Sequence, residues 1–206
     1  MIMENSSAGN NITAILLAAG LSSRMGRPKL LLPWGDTTVI GKIVSTFAAA
    51  GLKDLIVITG AAREQIEEML SGLANKFPLR CSYNPEFARG GMLSSIQVGL
   101  AAQDSKTNAT LIGLGDQPQV LEETVRSICT CYVQTNAPLI IPSFQNRRGH
   151  PWLAARSLWS SIQALPFSTT AQRFLNTYTG QVEYVEAGAS ILQDLDTPAD
   201  YDRLRP

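Results

Sequence analysis

The chain is poor in the residues on which small secreted and metal-clustered proteins are built: its 206 residues hold three cysteines and one histidine. Cys81, Cys129 and Cys131 are odd in number and contain no C-x-x-C pair, so neither a disulfide framework nor a zinc site is suggested. Cys129 and Cys131 stand two apart in an expected helix and cannot share a face. Buried, reduced thiols of a cytoplasmic protein are the expectation. No apolar run approaches the roughly 18 residues of a membrane span, and the opening MIMENSSAGNN lacks the basic and apolar regions of a secretory signal. Residues 1–11 are expected to form a flexible tail ahead of a single domain over 12–206. Neither sign of charge is in excess, with 17 Lys and Arg against 17 Asp and Glu. That balance argues against a nucleic-acid binder and means that any anion site is local. Internal repeats, low-complexity tracts and Pro/Gly-rich linkers are also missing, so no domain boundary is drawn.

One absence is confined to a single region. Between Glu4 and Asp36 there is no acidic residue, and that interval contains LLAAGLSSRMGRPK at positions 16–29. An apolar run over 14–19 stops at Gly20, and the next nine residues carry Ser22, Ser23, Arg24, Gly26, Arg27 and Lys29. This reads as a strand feeding an anion-binding loop, in which small residues let backbone approach a ligand and cations neutralise phosphate oxygens. The loop is neither of the standard phosphate loops. Gly20 to Gly26 is one residue too long for a Walker A motif, Arg27 stands where that motif needs lysine, and the three spaced glycines of a dinucleotide fingerprint are missing. A nucleoside triphosphate is the first candidate ligand; the bland alternative is a surface connection.

Downstream the hydrophobic pattern alternates between strand and helix. Thr37 or Thr38 is placed to cap a helix whose Ile40, Ile43, Val44 and Phe47 form one stripe, and Gly51 stops it. Residues 54–59, DLIVIT, read as a strand covered on both faces, and 61–70 as an amphipathic helix. A strand over 79–83 leads into NPEFARGGMLSSIQVGL, where Gly90 and Gly91 precede a helix and Ser94 or Ser95 either donates to a ligand or caps. The strand ATLIGL at 109–114 runs into Gly115-Asp116-Gln117-Pro118. A carboxylate just past a central strand lies where open α/β sheets place ligands, although an Asp turn or helix cap explains such a string equally well. A helix over 121–132 and a strand over 138–144 lead to the basic turn QNRRGHP, which holds Arg147, Arg148 and His150. Trp152 and Trp159 are assigned to packing, 157–164 and 170–178 to helices, and 182–185 to a strand. In ILQDLDTPADY, Asp194 and Asp196 stand two apart and point the same way if extended. Asp116 and one of this pair could hold Mg2+, which favours a few carboxylates completed by phosphate oxygens and water; alternatively Asp196 or Thr197 only caps the last helix.

Taken in order, LAAGLSSRMGRPK, GDQP, RRGHP and DLDTPADY resemble the MobA/MocA-type nucleotidyltransferase family, which includes the molybdenum cofactor cytidylyl- and guanylyltransferases. The resemblance spans about residues 12–204, and LAAG at 17–20 with GHP at 149–151 is more like the cytidylyltransferase branch. It implies a Rossmann-like three-layer α/β/α sandwich with a mostly parallel sheet, and transfer of CMP from CTP, or a nucleotide from another NTP such as GTP, to a phosphorylated acceptor such as molybdopterin. It implies Leu17, Ala18, Ala19, Gly20, Ser22, Ser23, Arg24, Lys29, Gly91, Ser95 and Asp116 as the nucleotide site, with Arg24, Lys29 and Asp116 catalytic. It further implies Mg2+ (or Mn2+) on Asp116 and Asp194 or Asp196, and His150 and Arg148 on the acceptor side. A recipient molybdoenzyme is an implied partner; nucleic acid and membrane are not. Where cytidylyltransferases of this kind often carry Gly-Asp-x-Gly after the GHP helix, residues 166–175 here read PFSTTAQRFL. The nucleotide half therefore carries over more fully than the acceptor half. Competing expectations are a nucleotide-binding escort for a molybdoenzyme and a transferase using a nucleotide sugar.

Overall fold

The computed structural model describes residues 11–206, and the tail expected over 1–11 lies outside them but for Asn11. The chain runs β1 (Ile12–Ala18), β2 (Pro33–Trp34), β3 (Thr37–Thr38), α1 (Val39–Ala49), β4 (Leu55–Thr59), α2 (Arg63–Ser71), β5 (Leu79–Tyr83), α3 (Phe87–Ala101) and β6 (Ala109–Leu114). It continues with α4 (Glu122–Thr135), β7 (Leu139–Phe144), β8 (Arg147–Arg148), β9 (Trp152–Ala155), α5 (Trp159–Gln163), α6 (Ala171–Thr177), β10 (Val182–Glu186) and α7 (Pro198–Leu204). The main sheet has the order β10-β7-β9-β6-β1-β4-β5, with β8 paired to β7. All pairings are parallel except those of β9 and β8. The short β2 and β3 form a separate antiparallel hairpin.

Alternation along the strands sorts the core into two layers. Ala14, Leu16, Leu55, Val57, Leu111 and Ile140 face a cluster closed by Ile40, Ile43 and Phe47 of α1, Ile66 and Leu70 of α2, Val125 and Ile128 of α4 and Tyr201 of α7. Ile15, Ile56, Ile58, Ile112, Leu139 and Ile141 point to the other face, where α3 supplies Leu93, Ile96 and Leu100, α5 supplies Trp159 and Ile162, and α6 supplies Phe174 and Leu175. Helices on both faces of a mostly parallel sheet make a Rossmann-like three-layer sandwich, as expected. Strand β4 is buried at all five positions, which explains its unbroken apolar sequence.

The helix ends follow their local chemistry. The Thr38 hydroxyl accepts from Gly41 N–H at 3.2 Å at the start of α1. Thr197 and Asp200 form a capping box at α7 with Pro198 at the first helical position. The sequence pattern misses β9. Its four residues, WLAA, are all buried, with Trp152 on the strand and packed as expected. They pair antiparallel between β6 and β7, a placement made by partners far along the chain. All three cysteines are free but half-buried rather than fully buried. Burial raises the Cys81 and Cys129 thiols to about 11, so both stay protonated near neutral pH. No helix among the described residues is long and apolar enough to cross a membrane.

Candidate active site

The functional side chains gather where the parallel strands end. Strands β4 and β6 flank β1 in register, with Ala18 opposite Thr59 and Leu17 opposite Leu114, so the loops after all three leave the same edge of the sheet. Their close approach depends on a bare backbone after β4. A Cβ on Gly60 would lie 2.6 Å from the Ala19 carbonyl oxygen, and no side chain fits there.

The basic loop is folded rather than floppy. Ser22 takes a left-handed conformation at φ 51°, one turn of 3-10 helix follows at Ser23–Met25, and a second forms at Lys29–Leu31. Met25, Leu30 and Leu32 are buried in the core and pin the loop from below. The Lys29 backbone N–H donates to Ser22 Oγ at 3.3 Å, closing the loop across seven residues. Lys29 thereby turns inward: its ammonium contacts Asp116 and lies 3.5 Å from Asp196. Arg24, more exposed, reaches Asp196 at 3.0 Å. The excess positive charge of residues 16–29 is thus met by acids from two distant segments.

Those acids are placed by the backbone between them. Leu195 is fully buried and its N–H donates to the Asp116 carbonyl at 3.1 Å, which ties the 194–196 segment to the loop after β6. Asp194 and Asp196, on either side of Leu195, both face the cavity. Gln117 is 2% exposed and orients Asp194, donating from Nε2 to its Oδ1 at 2.6 Å and also to the Ile191 carbonyl at 3.3 Å. Burial raises the pKa of Asp194 above the ordinary carboxylate value; the Gln117 hydrogen bond and Lys29 oppose this, while the negative charges of Asp116 and Asp196 add to it.

The cavity encloses about 320 Å³. Leu17, Ala18, Ala19, Gly20, Ser22 and Lys29 of the first loop line it together with Gly91 and Ser95 of α3 and the three carboxylates Asp116, Asp194 and Asp196. Gly91 is a break inside α3, with φ 55° and ψ −147°, so the helix begins one turn before the expected start and is interrupted there. Ser95 faces the cavity just after the break. Leu30, Phe87, Met92 and Leu114 complete the wall.

The structure therefore brings most of the expected nucleotide residues into one cavity. Ser23 instead lines a second, open depression with Arg27, Arg63 and Tyr83, and Arg24 joins the site through Asp196. His150 and Arg148 are not on the cavity wall. Arg148 donates to Tyr184 Oη at 2.9 Å and to Asn176 Oδ1 at 2.9 Å, bridging β10 and α6. His150 Nε2 is buried without a hydrogen-bond partner among the described residues. Two polar residues inside the sequence motifs, Gln117 of GDQP and Asn84 of NPEF, receive no role from sequence reasoning. Neither has a distinguishing local signal, because each acts on side chains ten or more positions away in sequence.

The buried histidine makes a stability prediction. Burial lowers its pKa from 6.5 to about 4. The unfolded chain takes up this proton near pH 6.5, whereas the fold refuses it until about pH 4, so stability falls as pH drops through that window and levels off below it. The loss amounts to a few kcal/mol at most, because each tenfold change in proton affinity is worth roughly 1.4 kcal/mol. Urea midpoints near pH 7 and near pH 5 should differ less for His150→Gln than for the parent; parallel losses would refute the assignment.

The donor set of the cavity fits a hard divalent cation. Among the described residues no three or more His, Cys, Asp and Glu side chains are drawn together into a ready-made metal cage. Carboxylates that converge without closing a cage match an ion completed by phosphate oxygens and water.

Comparisons with known proteins bear on the family and the fold. Residues 14–183 match the family model described as the MobA-like NTP transferase domain. The chain is 30% identical over 193 residues to the molybdenum cofactor cytidylyltransferase of Escherichia coli, covering 92% of this chain and 93% of that protein. It is 29% identical to nicotine blue oxidoreductase of Paenarthrobacter nicotinovorans, with 94% and 96% covered. Among solved structures, Rv0371c of Mycobacterium tuberculosis superimposes with a TM-score of 0.80 at 28% identity, covering 94% of this chain and 97% of that one. A complex of Rv0371c with manganese superimposes with a TM-score of 0.77 at 26% identity, covering 95% and 97%.

Proposed function

The chain belongs to the MobA-like NTP transferase family, and from that premise we propose that it transfers CMP from CTP to a phosphorylated acceptor, molybdopterin, with release of pyrophosphate. The observation that carries this reading is the convergence of Lys29 and Arg24 with Asp116, Asp194 and Asp196 at the edge of one cavity. Cations paired with carboxylates complement a metal–triphosphate, in which the phosphates meet the lysine and arginine and the metal meets the acids. The two curated relatives are almost equally similar but differ in named activity. The choice of nucleotidyl transfer therefore rests on the charge pattern, and the choice of CTP and molybdopterin on the cytidylyltransferase likeness.

The reaction forms a bond from an acceptor phosphate oxygen to the α-phosphorus and breaks the bond from that phosphorus to the bridging oxygen, so pyrophosphate leaves with the electron pair. The acceptor oxygen is already ionised, and no strong general base is needed. Ala18, Ala19 and Gly20, which have little or no side chain, let the nucleoside approach backbone, while Gly91 and Ser95 line the same cavity. Lys29 and Arg24 draw in the triphosphate and stabilise charge moving onto the leaving pyrophosphate. Asp116 and Asp194 would hold the Mg2+, with Gln117 fixing the Asp194 carboxylate and Asp196 balancing Arg24. When bound, the ion neutralises phosphate charge and polarises the α-phosphorus.

The test is pyrophosphate release across the four NTPs, each with molybdopterin and with simpler phosphorylated acceptors. Turnover with CTP and molybdopterin is the expected result. Turnover only with another pair corrects the specificity, and none with any pair overturns the reaction.

A further inference from the structure

Asn84 follows β5 directly and is fully buried. Its backbone N–H donates to the Thr59 carbonyl at 2.9 Å, which fixes its position beside the end of β4. Its side chain makes three hydrogen bonds. Oδ1 accepts from the Glu86 backbone N–H at 2.9 Å, and Nδ2 donates to Ser94 Oγ and to Ser95 Oγ, each at 2.9 Å. A backbone N–H can only donate, so the Glu86 contact assigns the carbonyl end of the carboxamide and leaves the NH2 end for the two serines.

A serine hydroxyl has one proton to give. Ser94 donates its proton to the Gly91 carbonyl at 2.9 Å, in the turn where α3 is interrupted. The Ser95 oxygen is held by Asn84, and no acceptor among the described residues takes the Ser95 proton. Ser95 is 3% exposed and lines the cavity. That O–H is therefore free to donate into the cavity.

We infer that Asn84 is a positioning residue for nucleobase recognition: by donating to Ser95 it occupies one of the two lone pairs of that hydroxyl and biases its proton towards the nucleobase. The cavity thus favours a base held with an acceptor edge, a ring nitrogen or carbonyl oxygen, towards Ser95. An aspartate at position 84 would reverse the polarity, because the hydroxyl would donate to the carboxylate and show lone pairs to the ligand. The inference rests on the reading of the cavity as a nucleotide site.

Equilibrium binding of CTP and of the other three NTPs, with Mg2+ and without acceptor, tests it in the full chain. Ser95→Ala should weaken the preferred nucleotide about tenfold through loss of one buried hydrogen bond, with the thermal midpoint little changed. Asn84→Asp should weaken it by more than Ser95→Ala does, since acceptor then faces acceptor. In the Ser95→Ala background Asn84→Asp should add no further loss, because Asn84 acts only through the hydroxyl. Asn84→Ala, which brings no buried charge, gives the same non-additive pattern with a smaller single effect and serves if Asn84→Asp does not fold. For the Asn84 variants the loss should fall on KM for the nucleotide more than on kcat, a split that general loosening of the fold would not give. Unchanged affinity in Ser95→Ala, or additive losses in the double variants, overturns the inference. Failure of the parent to bind any NTP instead overturns the nucleotide reading itself.

Discussion

Asp116→Asn is expected to lower nucleotidyl transfer by at least about 10³-fold while leaving the fold intact. Asp116 stands just past the end of β6, contacts the Lys29 ammonium and faces the cavity. The substitution keeps the shape and removes the charge, so a metal loses a carboxylate and Lys29 loses its nearest counterion. Stability should move little because the loss of the Lys29–Asp116 pair is softened in two ways. Lys29 keeps Asp196 at 3.5 Å, and Asp194 is freed from one negative neighbour that raises its pKa. A change within about 1–2 kcal/mol is the expectation for a pair that is only partly buried. Pyrophosphate release at saturating CTP and Mg2+, read beside a urea denaturation curve, decides the matter. Full activity would remove Asp116 from the reaction, and a collapsed fold would make it a structural residue.

Lys29→Ala is expected to cost about 10²–10³-fold in kcat/KM for the nucleotide. Its side chain lies outside both core clusters, and its backbone rather than its ammonium closes the loop onto Ser22. The loop should therefore keep its course when the charge is removed. Without the ammonium, Asp116 and Asp196 face each other without the cation that lies between them and the triphosphate meets a net negative rim. The defect should appear in nucleotide binding as well as turnover, and Lys29→Arg should recover only part of it, since a planar guanidinium does not replace a point charge between two carboxylates. Nucleotide titrations of both variants are the measurement. A large drop in thermal midpoint with unaltered nucleotide affinity would show that Lys29 serves the fold.

The parts of the fold that were legible share one property: their signal lies within a few residues. The unbroken β-branched run of β4, the stripe of Ile40, Ile43, Val44 and Phe47, the Thr38 cap and the Thr197–Asp200 capping box are each settled by neighbours in sequence. Strand β9 was not legible because WLAA has neither the length nor the flanks of a strand, and its identity comes from filling the gap between β6 and β7. The β2–β3 hairpin escaped for a similar reason, being only two residues on each side. In the site, the small and basic residues of the loop announce their chemistry by type and order. Gln117 and Asn84 do not, since each is an ordinary amide whose task is defined by Asp194 in one case and Ser94 and Ser95 in the other.

By itself the sequence determined the chemical kinds available to this protein: a strand ending in a cationic, acid-free loop, carboxylates after a central strand and near the chain's end, and alternating elements that make a layered α/β domain. Periodicity and residue type carry that information because hydrophobic burial and charge act locally on the chain. Only the tertiary structure decided which of these groups meet. It brought Lys29 onto Asp116 and Asp196, 87 and 167 positions away in sequence, set Ser95 in the same cavity as the loop, and kept His150 and Arg148 off the cavity wall. Those choices belong to strand order and to buried contacts such as Leu195 against the Asp116 backbone, which exist only once the sheet has closed.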